Sequence, residues 1–287
     1  MTAQDEPNRA QPSQGLGGRL GADLWPRVAA AVVLGLAALA VAWIGGFVFV
    51  AVAWAASAVV LWEWQRMVYP ERRVERIAAG ALAIALAAVA ALNASVLGAA
   101  AALVAGAAAV AWIAGPAARI AAGGGVLYAG ALVVSLVFLR ASPSYGLPAV
   151  LWLCAVVWGT DVAAYFAGRL VGGPKLWPRV SPGKTWSGAL AGAVAGAVLG
   201  LSLAGWTNRI DRLFWLGLAA AVVSELGDLF ESALKRRFGV KDSSRLIPGH
   251  GGLMDRLDAF IAASAFAAVV AAANSKGSFI ASGLFRW

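Results

Sequence analysis

The chain has 287 residues, 61% of them hydrophobic and 13% charged, with a net charge of +9. A soluble domain carries about 25% charged residues, so the composition excludes one and points to a polytopic membrane protein. With no RNA- or DNA-reading module in the chain, the positive charge fits orientation in a bilayer and contact with anionic headgroups, not nucleic-acid binding. Residues 1–24 are polar and contain Gly, Pro and Gln, without a short apolar core ahead of a small-residue cleavage site. They are expected to form a disordered cytoplasmic tail and not a cleaved signal. About nine apolar stretches follow that are long enough, or nearly so, to cross a bilayer as helices. They are 27–44, 47–64, 77–96, 97–114, 123–140, 147–168, 186–205, 213–234 and 254–273. The division between the third and fourth, at Asn93–Gly98, is the least marked because no charge lies there. Trp25, Trp43, Trp62, Trp64, Trp112, Trp186, Trp206 and Trp215 stand near span ends, as interfacial anchors do. The single cysteine, Cys154, lies in an apolar run, so no disulfide forms within one chain and a small buried hydrophobe is expected.

With nine spans and an inside N-terminus, 18 of the 23 Lys and Arg residues fall on the cytoplasmic side, leaving Arg140, Arg209, Arg212, Lys276 and Arg286 outside. That asymmetry sets the orientation. The expected fold class is therefore all-α, a polytopic integral membrane protein with its N-terminus in the cytoplasm. Three regions are expected: the tail over 1–24, N-terminal membrane helices over 25–146 and a catalytic membrane region over 147–287. The same orientation sorts the acids. Glu63, Asp161, Glu225, Asp228, Glu231, Asp255 and Asp258 all fall toward the cytoplasmic ends of their spans. An ion path would place polar groups through the membrane depth, whereas a one-sided cluster suggests a pocket open to the cytoplasm.

Charge is concentrated between Ser232 and Asp258, where six cations, three carboxylates, four glycines and the only histidine fall within 27 residues. Ionisable groups beside membrane helices are costly and mark functional candidates. Helical spacing puts Glu225, Asp228, Ser232 and Lys235 on one face. Asp255 and Asp258, three apart near a helix start, share another, so Asp228 and Asp255 can be aimed at a common point. Two carboxylates with oxygen-only surroundings suit Mg2+, which takes one or two protein carboxylates together with substrate phosphates. Buried salt bridges between helices are the alternative. Between these spans Lys235, Arg236, Arg237, Lys241 and Arg245 precede Pro248-Gly249-His250-Gly251-Gly252. A basic run beside a membrane is often only an orientation signal or a lipid-headgroup patch. Here glycines let backbone N–H groups approach phosphate, and the following helix start adds its positive dipole end.

A second polar block combines Asp161 and Tyr165, four apart on the sixth helix, with Ser181-Pro-Gly-Lys184-Thr185-Trp-Ser187-Gly188 before the seventh. Thr185 or Ser187 can cap that helix and leave amides for an anion. A capped helix with a basic loop is the plainer reading. The spacing of a Walker A loop is absent.

Together these residues resemble phosphatidate cytidylyltransferase, the CDP-diacylglycerol synthase family. The family pattern S-x-x-K-R-x(4)-K-D-x-S-x(2)-I-P-x-H-G-G-x-x-D-R-x-D is met in full. Ser232, Lys235, Arg236, Lys241, Asp242, Ser244, Ile247, Pro248, His250, Gly251, Gly252, Asp255, Arg256 and Asp258 occupy its fixed positions. Gly227-Asp228-Leu229, the Trp158–Gly168 block and the Ser181–Thr185 block fit as well. The motifs cover residues 150–260, and the N-terminal half matches only as generic membrane helices. Many family members carry an acid where this chain has Ser187.

The resemblance implies transfer of CMP from CTP to phosphatidic acid, giving CDP-diacylglycerol and pyrophosphate for phospholipid synthesis. It implies Asp228 and Asp255 as ligands of Mg2+, with a second cation admitted, and Asp258 nearby. Lys235, Lys241 and His250 join them as catalytic residues. Asp161, Tyr165, Ser181, Lys184, Thr185, Ser232, Arg236, Asp242, Gly251, Gly252 and Arg256 are implied in substrate binding. It further implies a multi-pass protein of the inner membrane, a homodimer, and a site facing the cytoplasm that takes CTP from the cytosol and phosphatidic acid from the membrane lipids. Two rivals are a secondary transporter, which needs repeated halves with broken helices, and a CTP-using lipid kinase. No such repeat is seen.

Overall fold

Each apolar stretch forms a helix in the computed structural model, which describes residues 32–69, 71–207, 209–247, 251–276 and 279–286. In chain order these are α1 (described over Val32–Ile44), α2 (Gly46–Val68), α3 (Arg73–Leu92), α4 (Val96–Ala114), α5 (Arg119–Arg140) and α6 (Gly146–Leu170). They continue as α7 (Trp186–Gly200), extended by a 3-10 turn at Leu201–Trp206, then α8 (Ile210–Arg237) and α9 (Met254–Asn274). Eight spans, counting α7 with its extension, are long and apolar enough to cross a membrane. The tail expected over 1–24, together with Trp25, Pro248, Gly249 and His250, lies outside the described residues.

The uncharged break between α3 and α4 is made by capping, not by charge. Asn93 Nδ2 donates to Val89 O at 2.8 Å, and Ala94 turns left-handed with φ of 55°. Ser95 then caps α4 by accepting from Gly98 N at 3.0 Å. The turn lets Ala94 N and Ser95 N donate to Ala91 O and Ala90 O, both at 2.9 Å, and Ser95 Oγ takes an amide that the start of α4 leaves open.

α5 is the buried centre of the bundle, packed by α2, α3, α4, α6 and α9, while α4 shows most of its surface outward. Among the tryptophans expected at interfaces, Trp112 is 86% exposed and fits an anchoring role. Trp64 corrects the expectation: it is only 3% exposed, and its indole Nε1 donates to Ala121 O at 2.7 Å. Its ring stacks toward Tyr128 and Phe230. A carbonyl at the start of α5 draws it inward, since a buried indole N–H needs a partner. Cys154 is buried and unpaired, as expected.

Helices α6, α7 and α8 form the second half. α7 and α8 meet at Gly200 and Gly217, where a Cβ on Gly217 would sit 2.6 Å from Gly196 O and 2.8 Å from Gly200 Cα. Backbone cannot yield like a side-chain tip. Gly217→Ala is therefore expected to cost about 1–3 kcal/mol, the usual range for overpacking. A lower thermal midpoint in detergent would show it, with Gly205→Ala, which meets nothing within 4 Å, as the neutral comparison.

One element was not expected in an all-α chain. The break before α7 contains a short antiparallel hairpin, β1 (Lys175–Trp177) and β2 (Ser181–Thr185), with Lys175 opposite Thr185. It swings Lys184 back over the end of the bundle.

Candidate active site

The acids expected at one depth do collect at one end of the bundle, where α2, α6 and α8 finish and α7 and α9 begin. The last turns of α8 carry two of the contacts. Ser232 Oγ donates to Asp228 Oδ1 at 3.3 Å, one helical turn apart. Lys235 Nζ lies 2.7 Å from Glu231 Oε2, again one turn apart, and 2.8 Å from Asp255 Oδ1 on α9. From the hairpin, Lys184 Nζ reaches Asp228 Oδ2 at 2.8 Å. Asp228 and Asp255 thus each hold their own lysine, contributed by a different element.

Asp255 is gripped further by backbone. Ser243 N donates to both of its oxygens, at 3.2 and 3.1 Å, and Gly252 N to Oδ2 at 2.8 Å. The loop is closed by Ile247 N donating to Gly251 O at 2.9 Å. Gly251 has φ of 84°, a region that L side chains rarely enter, and a Cβ there would press on Asp255 Oδ2 at 2.7 Å. A Cβ on Gly252 would overlap Ser243 Oγ and sit 2.5 Å from Glu63 Oε1. Both glycines are required by close approach to carboxylates.

Around this core, Asp161 interacts electrostatically with Asp228, Lys184 and Arg256. Asp258, buried with Oδ1 accepting from Ala259 N at 2.8 Å, interacts with Asp228, Asp161 and Lys235. Glu225 on α8 joins them through Lys184, Asp161 and Asp228, so with Asp255 and Glu231 six carboxylates and three cations share one neighbourhood. Thr185 is the N-cap of α7, accepting from Gly188 N at 3.1 Å, and Ser187 Oγ lies 3.0 Å from its hydroxyl and donates to Gly172 O. Position 187 is thereby tied to the hairpin junction in this chain.

Other expected residues sit at the margin. Arg236 donates to the carbonyls of Val180 and Val240, which ties α8 to the hairpin and to the loop. Lys241, Asp242 and Arg256 are exposed and Ser181 is half-buried. Tyr165 is 59% exposed, with its hydroxyl accepting from Arg169 at 3.2 Å. His250 is outside the described residues. Among the described residues no three His, Cys, Asp or Glu side chains are drawn together as a protein-only metal cage.

Two residues of this end were not singled out as site residues from sequence. Glu231 could have been found by its one-turn spacing from Lys235. Glu63, an acid in an apolar span between tryptophans, gave a signal of cost but none of partnership, because its contacts lie some 180 to 191 residues away.

Comparison with known proteins places these residues in a wider frame. Residues 25–273 match the sequence profile described as the cytidylyltransferase family. The likeness thus extends over the N-terminal helices and beyond the 150–260 region that the motifs alone cover. A protein of Brucella suis named phosphatidate cytidylyltransferase is 39% identical over 251 residues, spanning 85% of this chain and 91% of the relative. Proteins of the same name from Haemophilus influenzae and Bacillus subtilis are 41% identical over 145 residues and 40% over 138. Those alignments span 48% and 47% of this chain, and 50% and 51% of the relatives.

Proposed function

The chain belongs to the cytidylyltransferase family, and from that premise we propose that it transfers CMP from CTP to phosphatidic acid, giving CDP-diacylglycerol and pyrophosphate. This is the activity for which its relatives are named. The observation that carries the proposal is the pair of aspartate–lysine contacts, Lys184–Asp228 and Lys235–Asp255, set side by side with a glycine loop and a helix start.

A phosphate oxygen of the lipid attacks the α-phosphorus of CTP. The new P–O bond forms as the bond from the α-phosphorus to the bridging oxygen breaks, and pyrophosphate leaves with the electron pair. Such transfer depends mainly on positioning and on neutralising charge. An ammonium has three donors, so Lys184, which spends one on Asp228, keeps two N–H groups for phosphate oxygens, and Lys235, which spends two on Glu231 and Asp255, keeps one. The aspartates hold each ammonium in place before substrate arrives, so the cost of ordering it is met in advance. Arg256 adds charge beside Asp161, and Thr185 anchors the hairpin that carries Lys184.

The donor chemistry suits Mg2+: Asp228 and Asp255 present carboxylate oxygens and no nitrogen or sulfur, and two protein carboxylates completed by substrate phosphates is a usual arrangement for this ion. These two residues would hold it, and it would neutralise the triphosphate. The family resemblance admits a second cation. The excess of Lys and Arg on one side supports a cytoplasmic site in the inner membrane, with CTP arriving from the cytosol and the lipid from between the helices. A homodimer rests on the family resemblance.

Purified protein given phosphatidic acid, Mg2+ and CTP labelled at the α-phosphate is expected to produce labelled lipid. A lipid kinase would transfer only a γ-label, and a transporter neither, so unlabelled lipid in the first reaction would overturn the proposal.

A further inference from the structure

Glu63 lies near the end of α2, in the half of the chain whose motifs read only as scaffold, and it is completely buried. Its two oxygens accept four hydrogen bonds. Oε1 takes Ser244 Oγ at 2.5 Å and Leu253 N at 2.9 Å. Oε2 takes Met254 N at 2.6 Å and Ser243 Oγ at 3.3 Å. Among the described residues no lysine or arginine pairs with it. The charge is met by neutral dipoles and by the positive end of α9.

The pattern of partners gives this carboxylate a task. α9 has Leu253 as its N-cap, which offers no side-chain cap, and Glu63 supplies one from another helix. It also holds Ser243 and Ser244, at the other end of the loop that leads into α9. Each point it grips adjoins a point gripped by Asp255: Ser243 gives its hydroxyl to Glu63 and its amide to Asp255, and Gly252 N goes to Asp255 while Leu253 N goes to Glu63. Residues 243–244 and 252–254 are thus held between two carboxylates, one structural and one in the site.

We propose that Glu63 is a positioning residue for the transfer reaction, locking residues 243–244 to the first turn of α9 so that Asp255 stays aligned with Lys235. This rests on the proposed function for what the aligned groups do, though not for the clamp itself. Glu63→Gln is the informative change. It keeps size and packing, yet one carboxylate oxygen becomes an NH2 group that faces donors. Partners one step behind functional groups typically contribute about tenfold to a hundredfold in activity.

The experiment compares full-length wild type, Glu63→Gln and the Ser243→Ala, Ser244→Ala double variant, all purified in detergent. Three quantities are read: kcat and KM for CTP, the thermal midpoint, and tryptic cleavage at Arg245 after α8 relative to Arg72 and Arg73, where α3 begins. Glu63→Gln is expected to lower kcat by about tenfold to a hundredfold with a smaller change in KM, and to speed cleavage at Arg245 selectively. The serine double variant, which keeps the carboxylate and its two amide partners, should shift both readouts the same way by less. Wild-type kcat and wild-type cleavage at Arg245 in Glu63→Gln would overturn the clamp. So would equal acceleration at Arg245 and at Arg72 and Arg73, which would mean general loosening. If the wild type makes no CDP-diacylglycerol, the proposed function fails, while selective cleavage at Arg245 still decides the clamp.

Discussion

Asp228→Asn and Asp255→Asn are each expected to abolish CDP-diacylglycerol formation while the protein still folds and inserts. Both changes keep the shape of the side chain and remove its charge. At Asp228 the loss frees Lys184 from its 2.8 Å contact, and the hairpin loses its only ion pair to α8 among the described residues. At Asp255 the damage is wider. One oxygen accepts from Ser243 N and Gly252 N, the other from Ser243 N and Lys235. Whichever oxygen becomes NH2, donors then face donors. A single preorganised electrostatic contact is typically worth about 100- to 1,000-fold in kcat, and these residues are also the proposed Mg2+ ligands. Product formation from α-labelled CTP, with size-exclusion profiles to show intact protein, measures the effect. Substantial turnover by either purified variant would remove that residue from the site.

The second large effect is expected at Lys235. Its ammonium sits between Glu231 and Asp255, and the three side chains are only 12%, 1% and 7% exposed. Lys235→Met would leave two buried carboxylates without their cation, and breaking a buried pair in this way costs about 3–5 kcal/mol. Activity and thermal midpoint should fall together. Adding Glu231→Gln removes one of the two stranded charges, and the other, on Asp255, still accepts from Ser243 N and Gly252 N. Replacing both members of a buried pair is often nearly neutral, so the double variant should regain much of the stability. It should not regain activity, because Asp255 still lacks its lysine. A single Lys235→Met variant as stable as wild type would show that solvent or lipid reorganisation compensates the acids, against the burial seen here.

Much of the fold was legible in the chain. Apolar runs and their breaks located the helices, since a segment must satisfy its own backbone inside a bilayer and helix formation is the local way to do so. Even the uncharged break at Asn93–Ser95 was readable in kind, because Asn and Ser are residues that end and begin helices. The hairpin before α7 was less legible. Its strands are three and five residues long, too short for an alternating pattern. Trp64 misled for a related reason: a tryptophan near a span end is compatible with an interface and with a core, and only the carbonyl of Ala121 across the bundle decides.

The site divides along the same line. Contacts one turn apart, Asp228 with Ser232 and Glu231 with Lys235, follow from helical spacing, and the glycines beside Asp255 are explained by the crowding they relieve. These features, together with the one-sided acids and the dense pattern from Ser232 to Asp258, are local in the chain. Sequence alone therefore carried the membrane class, the helix positions and the family. The partner choices were settled only in three dimensions: Lys184 with Asp228, Lys235 with Asp255, and Glu63 with both ends of a loop some 180 residues on. A buried carboxylate takes whichever donors packing brings to it, and packing between distant helices leaves no period or spacing to read. That is why the N-terminal half, silent in the motifs, supplies the carboxylate that holds Ser243, Ser244 and the start of α9.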